Sequence, residues 1–296
     1  MSDVQTVIEK AIPHLDAGKL KKIPQKIPLK GSIFIATRTG GMAKTTTAQI
    51  IDHVLSLGGI SFKLVSLDVS EKGATSKLKD VLPETRDVVF AASMDAISKN
   101  PQAALQNFDE LGELLVEGGH VFDFGANVAP VVFGWATVAE LQNIFGDIPK
   151  ITLVVPVTAQ TQPIKDALEI IRDARKTVEN LPIAKIIIIY NERDGQFGDY
   201  IPGYAALKAA ENEKDADSKN ISGITMASFV LPRLESEIWN KVQSANMKFA
   251  DILSTSPQDL SVLLDLGVIP CGRGRRFFSN WLQGAVDAFN EIGLIP

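Results

Sequence analysis

The chain has 296 residues, of which 45% are hydrophobic, and its formal net charge is −5 at pH 7. A chain of this length can bury one sizeable core. Without a run of about 18 apolar residues, a membrane-spanning helix is not expected, and the net negative charge argues against a surface that binds nucleic acid all over. The single cysteine, Cys271, excludes an internal disulfide and a multi-cysteine metal site. Since the N-terminus has no continuous apolar stretch and therefore no signal peptide, we expect a cytoplasmic protein.

The first 30 residues predict a helix followed by a basic linker. Residues 4–17 have a helical pattern, and the following segment is rich in lysine and interrupted by Pro24 and Pro28. Residues 31–296 form the main predicted domain. Two basic clusters are either solvated surface or local patches for DNA: Lys19, Lys21, Lys22, Lys26 and Lys30 in the linker, and Arg273, Arg275 and Arg276 near the C-terminus.

From residue 31 onward, short apolar strands alternate with helical stretches. The strand candidates are rich in β-branched residues and do not alternate with polar ones, which is typical of strands buried on both faces. This order predicts an α/β fold with a mostly parallel sheet and helices on both faces. The predicted strands are GSIFIAT, FKLVSL, HVFDFG, KITLVVPV, AKIIIIYN and TMASFVLP, and the predicted helices span 45–57, 103–117, 131–144, 164–178 and 204–213.

Two segments of the second half interrupt or extend this alternation. Residues 194–223 are long, polar and charged, and they predict a helical insertion or a mobile flap. Residues 276–292 predict a C-terminal helix with one apolar stripe, which packs on the domain or contacts a partner or a membrane surface. Since ligands bind at the carboxyl ends of parallel strands, the chemistry is expected directly after each apolar run.

The first predicted strand leads into the sequence ATRTGGMAKTTTAQ, a glycine-rich turn followed by a helical pattern. Gly40 and Gly41 allow the backbone to fold around an anion with its N–H groups pointing inward. The following helix directs the positive end of its dipole to the same point. Lys44 would then reach the β- and γ-phosphates of a nucleotide, and Thr45 would hold Mg²⁺ through its hydroxyl. The alternative is an ordinary glycine turn with a solvated lysine.

The string TGGMAKTTTA resembles the deviant phosphate loop of the ParA/MinD family of ATPases, which reads K-G-G-x-G-K-T-T. The resemblance implies a P-loop NTPase (SIMIBI-like) fold. Ala43 stands where the family has a glycine, and Thr39 stands where it has a signature lysine that contacts phosphates across a dimer interface. Arg38 is expected to supply the missing charge, because a guanidinium binds phosphate well. The nucleotide-contacting loop implied in this way comprises Arg38, Thr39, Gly40, Gly41, Met42, Ala43, Lys44, Thr45 and Thr46.

Two acidic strand ends are similar to the family's switch segments. SLDVSEKGATSKL is similar to D-x-D-P-Q-G-N-A-T-S, and its Asp68 matches the aspartate that orients the attacking water or the magnesium shell, whereas Ser66 replaces the first aspartate. In HVFDFGANV, Asp123 matches the Walker B aspartate, which binds Mg²⁺ through water, and the Gly125 N–H would sense the γ-phosphate. The resemblance therefore implies Lys44 and Asp68 as catalytic residues, and Thr45, Asp68 and Asp123 as the metal site.

Two later segments are similar to the base-binding positions of the same family. Asn191 ends AKIIIIYN, and Leu231 and Pro232 lie in FVLPRLESEIW. The spacing of Asn191 and Asp194 is also similar to the guanine-reading N-K-x-D motif, but a glutamate replaces the lysine. ATP is therefore the expected nucleotide and GTP the alternative. The four matches occur in the family's order.

The resemblance implies an ATPase that acts as an ATP-dependent dimerisation switch in plasmid or chromosome partition or in cargo positioning. The implied partners are a second copy of the chain, a protein adaptor or activator, and non-specifically bound DNA, rather than a membrane. Three alternatives remain. The D-x-G-A-N segment favours a conjugation or mobile-element accessory ATPase. A metabolic ligase of the same fold would use residues 194–223 for its substrate pocket. Thr39 and Ser66 favour a nucleotide binder that does not hydrolyse.

Overall fold

The computed structural model describes residues 26–41, 43–68, 77–89, 108–146, 148–212 and 223–294. The strands are β1 (Ile27–Pro28), β2 (Ser32–Ile35), β3 (Ile60–Ser61), β4 (Lys63–Asp68), β5 (Arg86–Val89), β6 (His120–Phe124), β7 (Ile151–Thr158), β8 (Ile183–Asn191) and β9 (Thr225–Leu231). The helices are α1 (Lys44–Leu57), α2 (Lys77–Val81), α3 (Asp109–Glu117), α4 (Val128–Val138), α5 (Leu141–Phe145), α6 (Thr161–Thr177), α7 (Tyr204–Asn212), α8 (Trp239–Ser244), α9 (Phe249–Ser254), α10 (Pro257–Leu264) and α11 (Val268–Glu291).

The main sheet has seven strands in the order β5-β4-β6-β2-β7-β8-β9, and all of its pairings are parallel. The chain leaves β2 toward β4 on one side, and it leaves β6 for β7 on the other side of β2. The carboxyl ends of β2 and β6 therefore border a topological switch point, where α/β sheets of this kind bind ligands.

Helices cover both faces of the sheet, as the sequence predicts. Strand β8 shows the reason, since Ile186 and Ile188 belong to one hydrophobic cluster and Ile187 and Ile189 to the other. The first cluster includes side chains of α3, α4, α6 and α7, and the second includes side chains of α1, α2 and the helices from α8 to α11. Burial of each isoleucine contributes about 1.5–3 kcal/mol. The prediction of an α/β fold with a mostly parallel sheet is confirmed.

Each of the predicted strands is present, but two short pairings were not predicted. Strand β5 forms one edge of the main sheet. Strand β1, within the predicted linker, pairs with β3 through Ile27 and Ile60, so the end of that linker is attached to the body of the protein. The predicted helix at 4–17 and Lys19, Lys21 and Lys22 lie outside the described residues, as do residues 103–107 of the helix predicted before β6.

Two helix predictions need correction. The helix predicted at 131–144 is divided into α4 and α5, and the backbone between them is left-handed at Glu140, with φ 49°. The C-terminal helix predicted at 276–292 begins earlier, at Val268. Among the described residues, none of the helices has both the length and the apolar character needed to cross a membrane.

The polar segment after β8 is held on the sheet by its first helix. Tyr204, at the start of α7, and Phe197 pack edge-on against Tyr190 of β8, with ring centroids 5.9 and 5.0 Å away. The Tyr190 hydroxyl donates a hydrogen bond of 2.9 Å to Glu211 of α7, and burial, followed by the Glu211 charge, raises the pKa of Tyr190. The helical alternative for this segment holds for residues 204–212, and residues 213–222 lie outside the described part of the chain.

Asp52 of α1 is expected to make the stability of the fold depend on pH. Burial, followed by the charge of Glu84, raises the pKa of Asp52 to about 6, although Lys248 and Lys26 act in the opposite direction. The pKa of an aspartate in an unfolded chain is about 3.9, so the folded state binds the proton more tightly. The associated stability is fully present below about pH 4 and is lost as the pH rises through the folded pKa.

Replacing Asp52 with asparagine is therefore expected to raise the melting temperature at pH 7.5 and to change it little at pH 4. Thermal unfolding followed by circular dichroism across this range measures the effect. The same shift at both pH values would show that the burial of the charge is not its cause.

Candidate functional site

A cleft of about 700 Å³ opens at the carboxyl ends of the central strands, and this volume is typical of small-molecule sites. The predicted phosphate loop and the first turn of α1 form one wall, and the ends of β4 and β6 form the floor. Residues of α2 and of the stretch from α8 to the start of α9 complete the lining. The lining includes Gly40, Gly41, Ala43, Lys44, Thr45, Thr46, Ser66, Asp123, Gly125, Lys77, Asp80, Arg193, Trp239, Met247 and Phe249.

The backbone of the loop has the conformation that its glycines permit. Gly41 has φ +79°, and Ala43, directly before α1, is left-handed with φ 61°. A left-handed alanine costs about 1–2 kcal/mol, and it stands at the position where the general phosphate loop has a glycine. The first turn of α1 carries no acidic residue, so its N–H groups and dipole favour an anion in the cleft.

Gly41 and Gly40 offer a matched test of this backbone. A Cβ at either position would meet no heavy atom within 4 Å, but only Gly41 has a positive φ. We expect Gly41→Ala to lower the free energy of unfolding by about 1–2 kcal/mol and Gly40→Ala to change it by less than about 0.5 kcal/mol. Urea denaturation measures both values. Equal losses at the two positions would contradict the left-handed geometry.

Lys44 lies across its own loop. Its ammonium donates hydrogen bonds to the Thr37 hydroxyl, at 2.9 Å, and to the Thr39 carbonyl, at 3.5 Å. Asp123, at the end of β6, is only 8% exposed, and it lines the same cleft as Lys44 and Thr45. The structure thus brings together the predicted phosphate-binding lysine, the predicted metal-binding hydroxyl and the predicted Walker B carboxylate.

The loop after β6 is tied to the strand and the loop on either side of it. The Gly125 N–H donates to the Leu67 carbonyl of β4 at 2.6 Å, and the Asn127 N–H donates to the Arg38 carbonyl at 3.1 Å. The Gly125 N–H is therefore engaged within the chain, and it would have to leave Leu67 to contact a γ-phosphate. Asp68 is the last residue of β4, the strand that pairs directly with the β6 strand of Asp123. The side chain of Asp68 is not among the described ones.

The donors in the cleft fit magnesium. A threonine hydroxyl and a carboxylate are hard oxygen ligands, and Mg²⁺ is usually held by one or two carboxylates together with substrate phosphates. Within the described ranges, no group of three or more histidine, cysteine, aspartate or glutamate side chains could hold a metal ion. Thr45 and Asp123 would therefore hold Mg²⁺ only together with a bound polyphosphate.

Arg38 and Thr39 face away from the cleft. The Arg38 guanidinium binds the carboxylates of Glu169 and Asp173 on α6, the latter at 3.2 Å, and the Thr39 hydroxyl donates to Asp166 on the same helix. Neither residue lines the cleft. For Arg38 to contact phosphate, as the resemblance implies, its two ion pairs would have to break.

The expected base-binding residues lie together, but outside the cleft. Asn191 and Leu231 are buried and paired in register at the ends of β8 and β9. The Asn191 side-chain oxygen accepts a hydrogen bond from the Arg193 N–H at 3.0 Å, and the Pro232 carbonyl accepts one from Trp281 at 2.8 Å. Arg193, which follows Asn191 by two residues, lines the cleft.

The sequence did not predict the part of the cleft lining that α8 and α9 supply. Trp239, Met247 and Phe249 line the cleft, and Phe249 is buried beneath the aromatic rings of Trp239 and Trp281. These residues belong to the segment of short helices after the last strand, and nothing in their spacing indicates that they lie near the predicted phosphate loop.

No protein-family model matches the chain, and no curated protein matches it in sequence. Among solved structures, a variant of McdA from Cyanothece in complex with ATP is similar, with 15% sequence identity and a TM-score of 0.35. The alignment covers 80% of this chain and 97% of the McdA chain. At this identity and TM-score we infer nothing about function from the likeness, and the residues of the cleft carry the proposal below.

Proposed function

We propose that the chain is a magnesium-dependent ATPase of the ParA/MinD kind, which binds the polyphosphate of ATP with the loop from Gly40 to Thr46. The observation that carries this proposal is that Lys44, Thr45 and Asp123 line a single cleft together with the first turn of α1. A lysine, a metal-binding hydroxyl and an acidic strand end beside a helix N-terminus are the groups that phosphoryl transfer needs.

Each residue has a defined task in this proposal. The backbone N–H groups of the loop and the Lys44 ammonium donate to phosphate oxygens, after Lys44 leaves the Thr37 hydroxyl. Thr45 and Asp123 hold Mg²⁺, which when bound neutralises charge on the β- and γ-phosphates. Asp68, at the end of the neighbouring strand, orients the attacking water in line with the γ-phosphate. We assign Asn191, Leu231 and Pro232 to the adenine, beside the cleft.

The loop after β6 is the proposed switch. Its N–H groups at Gly125 and Asn127 donate to β4 and to the phosphate loop. A γ-phosphate that attracts the Gly125 N–H would compete with the Leu67 carbonyl, and the two arrangements of the loop would then have different populations with ATP and ADP. This difference is the proposed basis of ATP-dependent dimerisation, of the response to a protein adaptor, and of a role in partition or cargo positioning.

The structure bears on the DNA surface proposed for this switch. Of the C-terminal arginines, Arg273 pairs with Glu237, and Arg275 donates to the Leu253 carbonyl. Arg275 is thus held by a contact within the chain, whereas the Arg273 ion pair and Arg276 are exposed. We therefore assign non-specific DNA binding to Arg273 and Arg276 together with the exposed Lys26 and Lys30 and the lysines that precede them, and such binding should weaken steeply with salt.

Sedimentation velocity and phosphate release together test the proposal. We expect hydrolysis of ATP in the presence of Mg²⁺, and a faster-sedimenting dimer with a slowly hydrolysed ATP analogue than with ADP. DNA added at low salt should increase sedimentation further in the ATP state. Sedimentation that is identical with both nucleotides would contradict the switch, and absence of hydrolysis with and without DNA would contradict the ATPase.

The aromatic wall of the cleft favours a second candidate, a metabolic ligase of the same fold. Trp239, Met247 and Phe249 line the same cleft as Lys44, and these apolar side chains could hold a small acceptor molecule. ATP turnover that is accelerated by a small metabolite, is unaffected by DNA and is lost in Trp239→Ala would favour the ligase. Turnover in Trp239→Ala within about twofold of wild type favours the switch.

A further inference from the structure

Helix α6 presents a row of carboxylates to the phosphate loop. Asp166, Glu169 and Asp173 are spaced by three and four residues, so they lie on one face of the helix. All three contact the first two residues of the loop: Asp166 binds Thr39, and Glu169 and Asp173 bind Arg38. Nothing in the proposed chemistry uses these carboxylates, and they lie between 127 and 135 residues further along the chain than the loop residues that they contact.

Asp166 is the buried member of the row, with 6% of its surface exposed. A buried carboxylate is costly unless hydrogen bonds satisfy it. One carboxylate oxygen of Asp166 accepts from the Thr39 hydroxyl, and the other accepts from the Gln162 side-chain amide at 2.7 Å. Its position is therefore fixed from two directions, one of them within its own helix.

The contacts continue from Thr39 to the phosphate-binding lysine. The Thr39 carbonyl accepts hydrogen bonds from the Thr37 hydroxyl, at 2.8 Å, and from the Lys44 ammonium, at 3.5 Å. The Thr37 hydroxyl is also the nearer acceptor of Lys44. Asp166 therefore binds the side chain of the same residue, Thr39, whose carbonyl accepts from Lys44.

We propose that Asp166 is a positioning residue for the phosphate loop, which it holds through Thr39 in the shape that binds a polyphosphate. The proposal rests on the proposed ATP-binding function. Thr39 occupies the place of the family's signature lysine, but its hydroxyl is committed to a carboxylate of its own chain. The loop is thereby ordered within one subunit before nucleotide arrives, so binding does not bear the cost of ordering it.

Asp166→Ala and Thr39→Val each remove this contact, and the second does so with little change of volume. We expect each to raise the KM for ATP about tenfold and to leave kcat at saturating ATP within about twofold. Thr39→Ser keeps the hydroxyl, and its KM is therefore expected to stay within about twofold of wild type. Lys165→Ala, at an exposed position beside Asp166, is the control for a change on the same helix.

The double variant separates positioning from a general effect on stability. If Asp166 acts through Thr39, Asp166→Ala combined with Thr39→Val raises the KM no more than either change alone. Three outcomes would overturn the positioning role while ATP hydrolysis by the wild type stands. The first is a double variant whose increase in KM is the product of the two single increases, and the second is an unchanged KM in Thr39→Val. The third is a kcat that falls together with the melting temperature in these variants. Absence of ATP binding by the wild-type chain would overturn both the positioning role and the ATPase.

Discussion

Replacing Lys44 with alanine is expected to weaken the binding of ATP by about 100-fold. The variant loses the only lysine of the phosphate loop, and hydrogen bonds to charged groups contribute about 1.5–3 kcal/mol each. The ammonium already lies beside the loop oxygens of Thr37 and Thr39, so the lysine is held close to the proposed phosphate site before nucleotide binds. The dissociation constant of a fluorescent ATP analogue measures the effect.

Lys63→Ala is the matched control for this change. Lys63 is the first residue of β4, at the amino-terminal ends of the strands and away from the cleft, and it pairs with Glu117 at 2.5 Å. Its removal deletes the same positive charge from the chain and should leave ATP affinity within about twofold. If both lysines change the affinity equally, a general effect of net charge is responsible, and the assignment of Lys44 fails.

Asp123→Asn is expected to lower kcat about 100-fold while the affinity for ATP without magnesium stays within about threefold. The amide keeps the volume of the carboxylate but loses the negative charge that we propose holds the metal, and a metal that stabilises transition-state charge contributes several kcal/mol. The rate of phosphate release as a function of Mg²⁺ concentration measures the effect. We expect the variant to need more Mg²⁺ for half its own maximal rate.

Asp80→Asn provides the comparison within the same cleft. Asp80 lies on α2 and lines the cleft, but it is exposed and belongs neither to the phosphate loop nor to β6. We expect its rate and its magnesium requirement to stay close to those of wild type. A magnesium requirement that is unchanged in Asp123→Asn, or changed equally in both variants, would contradict the metal site at β6.

The buried strands were predictable because the sheet is covered on both faces. In β8, four consecutive isoleucines supply side chains to two cores, and such a run has few other structural solutions. Strand β5 was missed because it is a short edge strand that begins with Arg86 and Asp87. An edge strand with charged residues carries little apolar signal.

The start of α11 shows how tertiary contacts override local preferences. Pro270 lies in its first turn, where a missing N–H breaks no intrahelical hydrogen bond. Gly274 is buried against Ile238, and a Cβ there would come within 2.8 Å of that side chain. The glycine thus serves a close contact between segments and does not end the helix. Neither Pro270 nor Gly274 reveals this in the sequence.

The meeting of the candidate site residues at the strand ends was also predictable, in contrast to their surroundings. Lys44, Thr45 and Asp123 follow apolar runs whose carboxyl ends must meet in a parallel sheet. The contacts of Arg38 and Thr39 with α6 depend on how a distant helix packs beside the loop, and no spacing in the sequence encodes that position. For the same reason, the expectation that Arg38 replaces the signature lysine stays a prediction, and the structure shows a competing pair of carboxylates.

Calorimetric titration of the wild-type chain with ATP, in the presence and absence of Mg²⁺, tests the central assignment most directly. The account predicts one ATP bound per chain, with tighter binding when Mg²⁺ is present, because Thr45 and Asp123 hold the metal together with the phosphates. Absence of binding heat with Mg²⁺ at several temperatures would contradict a nucleotide site in this cleft.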